Sequence, residues 1–529
     1  MAEETIIRQT GMGFADQLPV PDPMPAGALN PRAEDYKKYK EVLFDPQYDG
    51  FGPELEYICD FPYRASKDVE SSPLGVGFEL LDHRTGYIFD KVLPIAKESG
   101  IKWARLQSGW QRAETVPGVY DFGWLDEIVD GLRSEGIQPW FSLGFGNGLY
   151  MEGAVAIPPH GNYFFSPTRF GEKGITGWTN YCKAMAEHFK DRVFHWEVWN
   201  EPNAGFLRRV DWKEHYPMGE PPEVYAELVK ITAAAVRSVQ PEAKIIAGSI
   251  SGGAISNEYI QGLFDNGIAD HIDIFTYHPY GATPENYYHD RMQFIRDLIA
   301  KSGRNIVMWM GENGRPSDSN LLGRGIRSTE LSQAKYLTRR YLCDLRENME
   351  VSSYFLICDI GNGYLPNGNV HSQGVIDATD PENYRPKLAF RAMQSFANLF
   401  DSKTEMVTGC FEINPWASAF GYNCLPAEVA NGISVTFRRG NIPIFAYYHP
   451  TNIDCGWQVK PVRINFYLPE GTKLEKPILI DPITAKVYRI KQMAHWTDGN
   501  WGYLEVLPKM PLLDYPLFVS DASLLDSLK

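Results

Sequence analysis

The 529-residue chain has no apolar run that reaches the ~18 residues of a membrane-crossing helix. Its first residues, Met1-Ala2-Glu3-Glu4-Thr5, carry neither the basic nor the apolar segment of an export signal. Positive charge is in deficit: 51 Lys and Arg against 66 Asp and Glu leave −15, a field that opposes phosphate backbones and anionic lipid. Nucleic acid and membrane are therefore not expected partners. The seven cysteines, Cys59, Cys182, Cys343, Cys358, Cys410, Cys424 and Cys455, are odd in number, scattered and without C-x-x-C pairs. That argues against a disulfide scaffold and for reduced thiols in a cytoplasmic chain, unless a leader has been removed. There is no internal repeat and no low-complexity tract, which excludes solenoids. A Gly-rich phosphate loop is missing too, because Gly75-Val76-Gly77 lies inside a strand pattern and lacks a third glycine. Gly-x-Ser-x-Gly is absent, and Glu79-Leu80-Leu81-Asp82-His83 is a poor match to the His-rich first strand of a metal-dependent hydrolase barrel. No cofactor and no metal is expected.

What the sequence does contain is a globular composition rich in rings, 44% apolar and 13% aromatic, with 22% charged residues. Residues 1–73, rich in Pro, Asp and Tyr, read as an extended arm able to add strands to another domain. From residue 74, short apolar and β-branched runs alternate with amphipathic stretches of helical length, the pattern of repeated βα units. Eight such runs, at 75–79, 102–106, 138–144, 194–199, 243–247, 272–276, 305–310 and 352–358, are each followed by a helical segment. The last of these helices ends near residue 399. The reading is an α/β chain with a (β/α)₈ TIM barrel over 74–400. Beyond residue 400 the helical period gives way to short strands bounded by Pro, Gly and Asn, so 401–529 read as an antiparallel β-sandwich. Its rings Trp416, Trp457, Trp496 and Trp501 are candidates for sugar binding, though buried sandwich rings are commoner.

In such a barrel the chemistry sits at the carboxyl ends of the strands. Two glutamates stand there in similar company: Glu201 in Trp199-Asn200-Glu201-Pro202-Asn203 after the fourth strand, and Glu312 in Met310-Gly311-Glu312-Asn313-Gly314 after the seventh. Strands four and seven face each other across a barrel mouth, so the two carboxyl groups can converge on one small substrate. One protonated and one ionised carboxyl is what glycosidic cleavage needs.

On these residues the chain resembles the clan A retaining glycoside hydrolases, whose Asn-Glu-Pro motif lies on strand four, and its Trp-Asn-Glu-Pro-Asn form is most like family 39. The resemblance implies that Glu201 is the general acid and base, Glu312 the nucleophile, and Asn200 a hydrogen-bond partner of the sugar 2-hydroxyl. It also implies that Arg105 holds Glu312 ionised, that Tyr280 donates to Glu312 and that His278 lies near Glu201. Trp110, Asn147, Phe206, Trp212 and Trp309 are candidate sugar contacts, each equally readable as loop packing. The chain departs from the clan on strand eight, where Ser353-Tyr354-Phe355-Leu356 stands in place of a tryptophan. The expected activity is a retaining exo-acting β-glycosidase, β-xylosidase-like, on a glycoside or oligosaccharide. An endo-acting glycanase, another glycosidase and a non-catalytic carbohydrate-binding barrel are the alternatives, and a homo-oligomer is left open. The loops at 146–176 and 203–222, with Tyr150, His160, Phe164 and Arg208, are expected to wall the pocket and favour exo action.

Overall fold

The computed structural model describes residues 43–79, 87–157, 161–209, 219–252, 257–281, 283–318, 328–361, 370–408, 411–415, 432–453, 459–498 and 502–529. Asp82, His83, His160, Trp212, Trp416, Trp457 and Trp501, all raised from the sequence, lie outside the described residues, as does the Trp496 side chain.

Strand β1 is Leu55–Asp60. Eight parallel strands then close on themselves: β2 Leu74–Gly77, β3 Trp103–Gln107, β4 Gln138–Leu143, β5 His195–Val198, β6 Lys244–Ser251, β7 Ile274–His278, β8 Val307–Met310 and β9 Val351–Tyr354. Helices α1 Phe89–Ala96, α2 Gly123–Ser134, α3 Gly171–Phe189, α4 Pro222–Arg237, α5 Asn257–Asp265, α6 Tyr288–Ser302, α7 Glu330–Arg346 and α8 Leu388–Leu399 follow them one by one. On α2, Leu125, Ile128, Val129 and Leu132 are buried, the one-sided spacing that docks a helix on a sheet. Helix α3 starts at Gly171, inside the stretch 146–176 expected as a loop. Its first turns carry Gly171, Gly174 and Gly177, which hide the helical pattern, and Cβ atoms at 174 and 177 would run into the Pro167 carbonyl (2.3 Å) and the Tyr150 ring (2.4 Å).

The alternation of side chains along each strand stacks the barrel interior in layers. At the amino ends Trp103, Trp140, Ile246, Ile274, Trp309 and Val351 pack as an apolar plug. Two residues further along, on β3, β5 and β7, the inward positions turn polar: Arg105, Glu197 and Thr276. The plug excludes water from beneath, so charges in the layer above must find partners inside the protein.

Two antiparallel sheets make the remainder. Their strands are β12 Thr404–Met406, β13 Phe411–Pro415, β14 Ile433–Arg439, β15 Ile442–Tyr448, β16 Lys460–Phe466, β17 Pro477–Asp481, β18 Lys486–Ile490, β19 Ala494–Asp498, β20 Gly502–Leu512 and β21 Leu517–Asp521, with a small β10–β11 ribbon (Ile376–Asp377, Arg385–Pro386) before them. The larger sheet runs β1-β18-β17-β21-β15-β14-β12 and the smaller β13-β16-β20-β19. Strand β1 pairs with β18 from Leu55 opposite Ile490 to Asp60 opposite Lys486, so the chain before the barrel completes a sheet formed after it. Phe396 and Phe400 pack on Phe518 and Phe437 where α8 meets this sheet. Buried Arg339 on α7 donates to Glu285 and to the Thr451 carbonyl of the sandwich, while Tyr448 donates to Glu285 at 2.7 Å. Among the described residues, no helix is long and apolar enough to cross a membrane.

Candidate active site

Arg105 lies wholly buried at the centre of the barrel mouth. Its Nε donates to Glu197 Oε2 (2.6 Å), its Nη1 to Glu312 Oε2 (2.7 Å) and Glu79 Oε1 (3.2 Å), and its Nη2 to Asn200 Oδ1 (2.9 Å). One guanidinium on β3 thus joins groups from β2, β5 and β8 or just past them, a fork geometry that only arginine can offer. Glu197 anchors the other side: Ser249 Oγ and Thr276 Oγ1 donate to its Oε1 (2.6 and 3.0 Å), and Trp140 Nε1 reaches Oε2 at 3.4 Å. Burial alone would raise its pKa, but Arg105 and these donors overcome that and hold it below the usual carboxylate range.

Around this anchor the motif residues are placed by backbone that ordinary residues avoid. Trp199 (φ 64°), Glu201 (φ 43°) and Ser249 (φ 47°) all lie in the left-handed region, and such strain concentrates at functional sites. The turn is pinned from both sides. The Glu201 amide donates to the Ser249 carbonyl (3.0 Å), the Ser251 amide donates to Asn203 Oδ1 (2.9 Å), and Asn203 Nδ2 donates to the Ser251 carbonyl (3.1 Å). Pro202 follows in the turn after β5, and Asn203 locks that turn onto β6.

A carboxylate oxygen of Glu201, one of Glu312 and a ring nitrogen of His278 all lie within 4.8 Å of one another. His278 Nδ1 is 3.2 Å from Glu201 Oε1 and 3.8 Å from Glu312 Oε2, while Tyr280 Oη donates to Glu312 Oε1 at 2.8 Å. The two carboxyl groups differ in surroundings. Burial pushes Glu201 up to about 7, against the pull of Arg105 and the Ser251 hydroxyl. Glu312 is also raised by burial, but Arg105 and Tyr280 both donate to it and favour its ionised form. Burial lowers His278 to about 4, so its imidazole is neutral near pH 7. The three donors could in principle surround a metal ion. Glu312, however, spends its two oxygens on Tyr280 and on a guanidinium 2.7 Å away that repels cations, so we assign no metal here.

The geometry brings together Glu201, Glu312, Asn200, Arg105, His278 and Tyr280. Of the five candidate sugar contacts, Trp212 lies outside the described residues, and Trp110, Asn147 and Trp309 are not brought to this cluster. Trp110 is fully buried between Tyr150 and Tyr181 and donates to Glu114 (2.6 Å). Asn147 donates to the Glu114 carbonyl (2.8 Å) and accepts from the Leu149 amide (3.0 Å), which holds its loop together. Trp309 belongs to the apolar plug and donates to Glu350 (2.8 Å) on the far side of the barrel from the mouth. Phe206 keeps 37% of its surface exposed and stacks on Phe145, with Phe164 at its edge, which makes an apolar wall beside Trp199.

Glu197, Ser249, Thr276 and Glu79 were not among the sequence candidates. The signal for Glu197 was present: it sits two residues from His195 and two from Trp199, an inward position of a central strand, where a lone acid demands a buried base. Glu79 had no such signal, because it lies just past β2. Its side chain folds back over Gly77, its Oε2 has no hydrogen-bond partner, and burial, outweighing Arg105, pushes it up to about 8. A Cβ on Gly77 would stand 1.7 Å from Glu79 Oε2. Gly77→Ala must therefore displace a buried carboxyl, at an expected cost of about 1–3 kcal/mol. Urea unfolding measures this, and a variant as stable as the wild type would show that Glu79 has room to move.

A family model described as glycosyl hydrolases family 39 matches residues 82–297. The β-xylosidase of Geobacillus stearothermophilus is 30% identical over 149 residues, 27% of this chain and 26% of that protein, so the match spans about a quarter of the relative's length. Among solved structures, a family 39 glycoside hydrolase from Bacteroides cellulosilyticus WH2 superposes with a TM-score of 0.59 at 19% identity, covering 87% of this chain and 82% of that one. A family 39 β-xylosidase from Caulobacter crescentus gives 0.51 at 18% identity, covering 80% and 84%. At those identities the structures speak for the fold alone. The fold is that of these barrels, and residues 82–297 are similar to glycoside hydrolases. Within that class it is most like family 39.

Proposed function

We propose that the protein is a retaining exo-acting β-glycosidase that works by double displacement, with β-xylosidase-like specificity. The observation that carries the reading is the approach of a Glu201 and a Glu312 oxygen to within 4.8 Å. Retaining enzymes keep their carboxyl groups ~5–5.5 Å apart, whereas inverting ones leave ~6.5–9.5 Å for a water. Glu312, ionised by Arg105 and Tyr280, attacks the anomeric carbon. Glu201, protonated, gives its proton to the leaving oxygen. With the glycosyl-enzyme formed, Glu201 takes a proton from the incoming water, which releases the sugar and restores Glu312. Asn200, its oxygen held by Arg105, presents its amide hydrogens to the 2-hydroxyl. Support for exo action comes from the long loops after β4 and β5, which meet where Phe165 pairs with Arg208 and where Phe145, Phe164 and Phe206 interlock. The sugar rests on the likeness to β-xylosidases.

A panel of aryl β-glycosides (xyloside, glucoside, galactoside, arabinoside), followed by NMR of the first-formed anomer, tests both parts. The β-anomer is expected first, and fastest from the xyloside. First appearance of the α-anomer would overturn the retaining mechanism, and saturable binding without release from any substrate would favour a carbohydrate-binding barrel.

The pH profile follows from the two environments. The acid must be protonated, so kcat/KM should fall as pH rises through about 7, the value to which burial lifts Glu201. In Glu201→Gln this alkaline limb disappears for substrates with activated leaving groups. Persistence of the limb in that variant would assign it to another residue.

A further inference from the structure

Strand β7 has two faces. Thr276 and His278 point into the barrel, and Tyr277 points outward to α6 and α7. Behind it the loop that carries Tyr280, both helices and Asn452 line a cavity of about 310 Å³, with Tyr280, the donor to Glu312, at its border with the catalytic mouth. Its size falls at the lower end of small-molecule sites. Arg291 of α6 and Arg340 of α7 both line it. Arg291 Nη1 and Arg340 Nε and Nη2 are buried without a hydrogen-bond acceptor, although Arg340 stacks on the Tyr288 ring at 3.8 Å. The nearest acid is Asp344, 3.4 Å from Arg340 Nε and not aligned to accept. Its two oxygens are engaged by Tyr288 Oη and Ser352 Oγ, each at 2.6 Å. Burial raises the pKa of Tyr277 while both arginines pull it down, so the two positive fields converge on the hydroxyl that faces the cavity.

Guanidinium hydrogens buried without an acceptor cost free energy, and an occupant with acceptor oxygens removes that cost. Two guanidinium groups against one carboxyl leave room for a single negative charge, which suits a carboxylate better than a doubly charged phosphate. The hydroxyl of Tyr277, the side chains of Thr283 and Asn452 and the Tyr288 ring suit a hydroxylated molecule with an apolar face. We propose that this cavity binds a small sugar acid, its carboxylate held by Arg291 and Arg340, beside the site that cleaves the glycoside and not within it.

The test is calorimetric titration of the full-length chain at low ionic strength with glucuronate, glucose and inorganic phosphate. Glucuronate is expected to bind saturably, glucose not at all and phosphate more weakly. Arg291→Gln should weaken glucuronate about tenfold or more while its kcat on an uncharged aryl glycoside stays within about twofold of wild type. Arg340→Lys, which keeps the charge under Tyr288, provides the second arm where Arg340→Gln does not fold, and should weaken binding too. No glucuronate binding, equal binding of phosphate, or unchanged affinity in Arg291→Gln would each overturn the proposal. So would binding that Glu312→Gln abolishes, because the ligand would then belong to the catalytic mouth. Apart from the kcat comparison, none of these outcomes depends on whether the chain hydrolyses glycosides.

Discussion

Glu312→Ala is expected to lower kcat by about 10⁴- to 10⁶-fold, the range seen when a covalent nucleophile is removed, while the protein stays folded. The fold should survive because the variant removes a charge that burial already disfavours and leaves Arg105 paired with Glu197. What is lost is the atom that bonds to the anomeric carbon, and Glu201, held in place by Ser251 and His278, cannot replace it. The shortened side chain leaves a gap beside Arg105 that a small anion can enter. Azide added to the variant should therefore attack the β-glycoside directly, with Glu201 still assisting departure, to give the α-glycosyl azide in one inverting step. NMR of that product is the measurement. A β-glycosyl azide, or turnover in the variant close to wild type, would remove Glu312 from the role of nucleophile.

Which parts of this site could be read in the sequence, and which could not, follows from how local each signal is. The barrel strands announced themselves through runs such as Phe194 to Trp199, and Glu201 and Glu312 through the Asn, Trp, Pro and Gly around them, all within a few residues. Strand ends were less legible. β6 was expected to stop at residue 247, but it continues through Ser251, with a register shift beyond Ala247, past two residues at positive φ, Gly248 and Ser249. That extension carries Ser249 to Glu197 and Ser251 to Asn203, so the supports of the site went unread with it. The candidate sugar contacts that lie away from the cluster have a complementary cause. An indole at the mouth and an indole in the plug look alike in sequence, and Trp309 is fixed as plug by its position two residues past Val307 on β8, which no motif reveals. Strands β13, β19 and β20 are not legible one by one in the sequence, because their alternation is weak and their pairing is non-local. β20 pairs with both β16 and β19, and its register shifts between Val462 and Ile464 of β16.

Arg105→Leu is the change expected to do most damage to both stability and activity. Glu197, Glu79, Glu312 and Asn200 all accept from this one side chain, and three of the four are carboxyl groups shut off from water. Leucine fills part of the space and supplies no charge, so the expected loss is about 3–5 kcal/mol, the cost of leaving a buried ion without its partner. The loss should depend on pH, with a sign fixed by Glu197. Arg105 and the donors around Glu197 hold its folded pKa below the usual carboxylate value, so in the wild type its contribution is present above that value and fades as pH falls through the folded pKa. In the variant burial is unopposed by Arg105 and the same carboxyl binds its proton more tightly. The gap between wild type and variant must therefore widen as pH rises and narrow in acid, where a protonated Glu197 no longer needs the cation. Activity follows the same logic: Glu312 ionises with more difficulty, so the acid limb of kcat moves to higher pH and the plateau drops. Arg105→Lys, which restores a charge but not the fork, should recover part of the stability and little of the activity, because an ammonium cannot hold Glu197, Glu312 and Asn200 in one plane. Urea unfolding and pH–rate profiles of the two variants, taken from pH 5 to 8, are the measurements, and a stability loss that stays constant across that range would mean that Arg105 acts by packing rather than by charge.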